Sequence, residues 1–291
     1  MKLVQRTFIP GSSWLYIKLY TGSKIADDLL IQAILPMIKE IRQKQYIVKW
    51  FFIRYSDPDF HLRLRLLVTD AKYTGEILNL FYKKLNPWNK SLMLWKMQLD
   101  TYNRELERYG GTLIEEAESF FYIDSECILS ILKQLSINEN HRWMIALKMI
   151  DTLLSDFNLD ISQKLQLMES VSKSFKMEFG FNEFNAKQFN TKFRENKMLI
   201  ESVLRNTIQD ETFLVLNKSI KKRSKKLVPV VNRINTKLKK IKIEDLLKSY
   251  LHMMINRLFR SKNRLHELVL YDFMRRYYTS ELAKQKYSKQ Q

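Results

Sequence analysis

The sequence predicts an α+β fold in which a small sheet comes first and helices follow. Residues 46 to 69, YIVKWFFIRYSDPDFHLRLRLLVT, hold two apolar runs around an SDPDF turn, and the second run alternates strictly. Residues 14 to 22 and 92 to 102 repeat that strand texture, while the intervals between strands carry helical spacing. Beyond Gly110-Gly111 the long segments all show the 3.6-residue period of helices. The order through residue 102 is therefore β-α-β-β-α-β, the order of a ferredoxin-like unit, followed by a mainly helical C-terminal part. The boundary falls between 1–111 and 112–291, and the two parts are expected to pack as one integrated domain.

WLYIKLYTG supplies the first strand. A helix follows, with Ser23 as its expected N-cap, Asp27 and Asp28 in its first turn and Pro36 predicted to kink it. In the hairpin, successive side chains face opposite sides. Leu62, Leu64 and Leu66 thus point one way and His61, Arg63 and Arg65 the other, with Arg54 of the preceding strand expected on the arginine face. Asp57-Pro58-Asp59 makes the turn, since proline fixes φ and aspartate bonds local N–H groups. Residues 71 to 85 form an amphipathic helix with Ile77, Leu78, Phe81 and Leu85 on one stripe. Residues 114–135, 142–157, 161–179, 183–220, 243–259 and 263–285 read as helices. The basic stretch Lys218 to Lys242 contains Pro229 and reads as a helix end plus an exposed connector, and residues 286–291 as a frayed polar tail.

A chain of 291 residues with 45% hydrophobic content can bury a sizeable core. No apolar run reaches the ~20 residues that span a bilayer, and the N-terminus has no apolar signal region. Cys127 stands alone, which excludes a disulfide framework and points to a reducing, cytoplasmic setting. The net charge of +19 favours an anionic partner: nucleic acid, acidic peptide or carboxylate substrate. No phosphate-binding glycine loop, nucleophile elbow or zinc spacing is present, so no cofactor or metal is expected.

Three constellations carry chemistry. Arginines gathered on one face of a strand pair repel one another unless an anion sits among them, although edge arginines also serve only to solubilise. In TYNRELERYGG, Glu105 and Arg108 share a face if the segment is helical, beside Tyr102 and Arg104. From spacing alone that is a helical ion pair capped by glycine. In SYLHMMINRLF, Ser249, His252 and Asn256 line one face of an otherwise apolar helix. A histidine there is either a satisfied core residue or a group poised for proton transfer near neutral pH. His141 and His266 read as structural or solvated.

PGSSWLYIKLYTG, WFFIRYSDPDFHLRLR, TYNRELERYGG and SYLHMMINRLF, in this order, resemble the C-terminal domain of class I lantibiotic dehydratases. The same domain occurs alone as the thiopeptide-type bacteriocin biosynthesis protein. The resemblance implies a lyase acting on a precursor peptide. A separate glutamylating subunit would esterify Ser or Thr using glutamyl-tRNA, and this domain would then eliminate glutamate, leaving dehydroalanine or dehydrobutyrine. It places the elimination site on Arg63, Arg65, Glu105, Arg108 and His252. Arg65 and Arg108 would hold carboxylates and the developing oxyanion, Arg63 would support them, Glu105 would orient an arginine, and His252 would move the proton. Some stand-alone relatives instead catalyse the [4+2] cyclisation that builds the thiopeptide pyridine. A third reading is a non-catalytic module that binds leader peptide, or tRNA through Lys218–Lys242.

Overall fold

A computed structural model describes residues 4–135, 140–238 and 242–288 of the chain. Short strands β1 (Thr7–Phe8) and β6 (Tyr102–Asn103) pair with each other. The main sheet contains β2 (Trp14–Thr21), β3 (Ile47–Tyr55), β4 (His61–Val68) and β5 (Leu94–Asp100), in the spatial order β3-β4-β2-β5 with antiparallel neighbours. Between β2 and β3 the chain is helical from Ala26 to Gln43. Helix α1 (Ala26–Asp28) continues through a π-helical stretch, Leu29–Ile34, into α2 (Leu35–Gln43). Pro36 falls in the first turn of α2. A proline lacks an N–H, and the wider winding just before it absorbs that loss. The expected cap at Ser23 is not made: Ile25 occupies the N-cap, and Gly22 provides the carbonyl that accepts from Ala26 N–H. Helix α3 (Thr74–Lys90) joins β4 to β5 and buries Ile77, Phe81 and Leu85 of the predicted stripe, with Leu78 half-buried against the core.

Leu62, Leu64 and Leu66 face inward with Leu15, Ile17 and Leu19 of β2 across the ladder, and all six are buried. Their hydrophobic cluster continues into α2, α3 and the later helices. Those helices are α4 (Ile114–Leu135), α5 (His141–Asp156), α6 (Ile161–Glu178), α7 (Glu183–Arg205), α8 (Glu211–Lys237), α9 (Ile243–Leu258) and α10 (Asn263–Ser288). The expected helix over 183–220 breaks at Asn206, whose φ of 60° ends α7. The basic segment is not a connector as far as Lys237. Lys218 to Lys237 lie within α8, where Leu227, Val230, Val231 and Ile234 anchor one side and Pro229 sits exposed. Residues 239–241 of that stretch and 289–291 of the tail fall outside the described residues.

One junction positions the site. The outer edge of β3 would leave N–H and C=O groups unpaired, and side chains from two helices supply the missing partners. Ser125 Oγ of α4 accepts from Phe52 N–H at 3.3 Å, and Arg257 Nε of α9 donates to the Phe52 carbonyl at 2.8 Å. The amide of Asn256 both accepts from Arg54 N–H and donates to Arg54 C=O, each at 2.9 Å, as a neighbouring strand would. Beneath them Asp124 lies between Arg223 and Arg257, all three fully buried, at 3.2 Å from each. Helix α9, which carries His252, is thereby fixed against the hairpin that carries the arginines.

Candidate active site

Alternation along β4 puts His61, Arg63 and Arg65 on the face opposite the leucines. Arg65 lies between Tyr16 of β2 and Phe51 of β3 in the ladder. Its guanidinium carbon is 4.9 Å from the Tyr16 ring centroid, 5.4 Å from Phe51 and 4.6 Å from Tyr102. The π faces attract the cation and fix its plane. Its Nε is buried without a hydrogen-bond acceptor, and no carboxylate pairs with it among the described residues. A guanidinium boxed by aromatics and lacking a counter-ion is prepared for an anion.

Arg54 is not on this face. It opposes Leu62 in the register while Ile53 opposes Arg63, so the two-residue period sends it to the other side. There it is buried, donating to Asp27 at 2.6 Å and to the Arg257 carbonyl at 3.0 Å. Asp27, expected to complement a helix dipole, also receives Arg142 at 2.8 Å and Arg260 at 2.7 Å. Burial raises its carboxyl, and the guanidiniums outweigh that and hold it below its ordinary value.

Arg63 sits one pleat along from Arg65. It donates through Nε to His61 Nε2 at 3.0 Å and stacks 3.4 Å from the Tyr55 ring centroid. His61 must therefore carry its proton on Nδ1, which faces the Asp59 carbonyl at 2.8 Å. Burial holds this imidazole below its usual value. His61 is thus a neutral brace for Arg63, stacked on Tyr20.

The TYNRELERYGG segment divides. Tyr102 and Arg104 turn inward to the buried Glu118, at 3.0 Å and 2.7 Å, and do not join the polar cluster expected around Glu105 and Arg108. Leu106 to Gly110 form turns that α4 does not continue, and Arg108 donates to Glu105 at 3.1 Å. Gly110 and Gly111 have φ of 77° and 55°, so two consecutive left-handed residues let the chain leave that turn. Arg108 Nε then reaches Ser249 Oγ on α9 at 3.3 Å.

Arg108, Ser249 and His252 line one cleft of about 260 Å³, with Phe175, Glu267 and Tyr271 on its other walls. Arg63 and Arg65 do not line it. Tyr109 packs beside Arg108, whose guanidinium carbon is 5.5 Å from its ring centroid. Burial pushes its hydroxyl up to about 12, opposed by the charges of both Arg108 and Arg65. The structure therefore joins Arg108 and His252 in one cleft, leaves Glu105 paired to Arg108 outside the cleft lining, holds Arg65 on the sheet face, and sets Arg63 one step further out. Glu267 went unnoticed in the sequence. The one signal was a lone carboxylate in the apolar run HELVLY, one helical turn before Tyr271. Among the described residues no cluster of three His, Cys, Asp or Glu groups could hold a metal ion, and no helix is long and apolar enough to cross a membrane. His141 pairs with Asp210 at 3.4 Å, and His266 stacks on Phe259.

Residues 14–278 match the family described as lantibiotic biosynthesis dehydratase C-term. Over 186 residues the chain is 31% identical to the subtilin biosynthesis protein SpaB of Bacillus subtilis, covering 60% of this chain and 17% of that protein. It is 31% identical over 143 residues to the nisin biosynthesis protein NisB of Lactococcus lactis subsp. lactis, 48% of this chain and 14% of that one. The chain thus spans a small part of the length of these relatives. The fold is similar to that of the tRNA dependent lantibiotic dehydratase MibB from Microbispora sp. 107891, with a TM-score of 0.75 and 21% identity, over 94% of this chain and 29% of that one. It is also similar to the pyridine synthase TbtD from thiomuracin biosynthesis, with a TM-score of 0.68 and 11% identity, over 92% of this chain and 99% of that one. The sequence motifs and the match over residues 14–278 agree: this chain belongs to the lantibiotic biosynthesis dehydratase C-terminal family.

Proposed function

We propose that the chain is an elimination subunit, removing glutamate from glutamylated Ser or Thr of a ribosomally made precursor peptide. The observation that carries this reading is the meeting of Arg108 and His252, from distant parts of the sequence, in one cleft. β-Elimination breaks the Cα–H and Cβ–O bonds and forms a C=C bond, and glutamate leaves with the electron pair. His252 is assigned the proton transfer. Arg108, oriented by Glu105, and Arg65 receive the carboxylates of the leaving group and the charge developing on the enolate-like oxygen, with Arg63 in support. Arginine cannot act as the base, because it stays protonated. The glutamyl ester would come from a separate glutamylating subunit.

Supporting the finer points of the fold, the strand order β3-β4-β2-β5 fits a ferredoxin-like unit. The Asn256–Arg54 pairing fits an integrated packing of 1–111 with 112–291. The test is incubation of the purified protein with a synthetic glutamyl-Ser peptide, read by mass spectrometry. Release of glutamate with formation of dehydroalanine is expected, and an intact ester rejects the reading.

The second reading is [4+2] cycloaddition, to which the fold likeness to a pyridine synthase lends support. It requires a peptide that is already dehydrated and no glutamyl group. In the third, exposed Lys218, Lys221, Lys222, Lys225 and Lys226 of α8 contact tRNA, or the domain only binds leader peptide. A steep loss of RNA affinity with rising salt would favour the tRNA contact.

A further inference from the structure

Glu267 and Tyr271 are one turn apart on α10 and each is 1% exposed. Both carboxylate oxygens of Glu267 lie 3.1 Å from Nδ1 of His252. Tyr271 donates its hydroxyl to the same carboxylate at 3.0 Å. Burial pushes the Tyr271 hydroxyl well above its ordinary value, so it stays a donor. Arg264 approaches Oε2 of Glu267 at 3.4 Å, but its Nε and NH2 bind Glu178 and its guanidinium lies 4.0 Å from the Phe175 ring centroid. Arg108 and Lys248 are the other charged groups lining this cleft. An ionised carboxylate only accepts, so the proton of neutral His252 belongs on Nδ1. That leaves Nε2, with its lone pair, for the cleft.

We infer that Glu267, held in place by Tyr271, is the positioning residue that fixes His252 in this tautomer and presents Nε2 to the peptide. This role rests on the elimination reading. In the step, Nε2 takes the Cα proton, the Cβ–O bond breaks, glutamate departs with the electron pair, and the carboxylate of Glu267 steadies the resulting imidazolium. The arrangement follows the logic of an acid that orients a histidine base, in which loss of the correct tautomer is costly even when geometry survives. Glu267→Gln should lower kcat by about 100-fold at similar KM. Tyr271→Phe should lower kcat by about fivefold, as the loss of one hydrogen bond implies.

The first test uses the wild-type protein and needs no activity. Nitrogen-15 NMR of labelled histidine should show neutral His252 protonated on Nδ1, and protonation on Nε2 would overturn the inference. The second is the kinetics of both variants, with thermal unfolding as a check on folding. An active wild type whose Glu267→Gln and Tyr271→Phe variants keep rates within twofold would overturn this role alone. A wild type unable to act on the glutamyl peptide would overturn the elimination reading on which the role depends.

Discussion

Arg108 donates through Nε to the hydroxyl of Ser249, 141 positions later, at 3.3 Å. Ser249 lies one helical turn before His252, so this bond ties the Glu105–Arg108 turn to the helix bearing the imidazole. It sets the cleft geometry, and the β3 edge sets that cleft beside the arginine face.

Arg65 is the cation most exposed to test, because its surroundings give it aromatic faces and no counter-ion. Arg65→Ala should cost about 100-fold or more in elimination kcat, the range for removing one donor from a developing oxyanion. Arg65→Lys should recover little, since an ammonium cannot reproduce a planar fork stacked between rings. Single-turnover rates on the glutamyl-Ser peptide decide this.

Asn256 should matter for stability before chemistry. Asn256→Ala leaves the Arg54 N–H and C=O without their partners at a junction buried between sheet and helix. A cost of about 1–3 kcal/mol for each group left unsatisfied is expected. Urea unfolding should show a lower midpoint.

His61 should make stability depend on pH. Burial places its folded value below the ordinary 6.5, so protonation favours the unfolded chain. The contribution is fully present above 6.5 and is lost as pH falls from there through the folded value. His266, also lowered by burial, acts in the same direction. Each group adds a slope of up to about 1.4 kcal/mol per pH unit within its window. Thermal unfolding between pH 8 and 5 should show this decline, and His61→Gln should flatten it.

Periodicity made most of the architecture legible. The alternation HLRLRLL gave β4 and its two faces, and helical spacing found α4 with the same bounds, Ile114–Leu135. Arg54 was misplaced because its face depends on the pairing register with β4, which opposes it to Leu62. Pro229 suggested a connector, yet four buried aliphatic residues hold α8 against the core and override a local preference. Within the site, the Arg108 and His252 motifs were visible, but their meeting was not, since Ser249 and the β3 edge bring them together only in three dimensions. Glu267 went unnoticed, because its contact with His252 arises only when α9 and α10 pack together.

The most direct measurement is a single-turnover reaction with a glutamyl-Ser peptide deuterated at the serine α-carbon, followed by mass spectrometry. The wild type should lose deuterium and glutamate together to give dehydroalanine, while His252→Ala should retain both. A wild type that keeps both, or a His252→Ala variant that eliminates at the wild-type rate, would contradict the account.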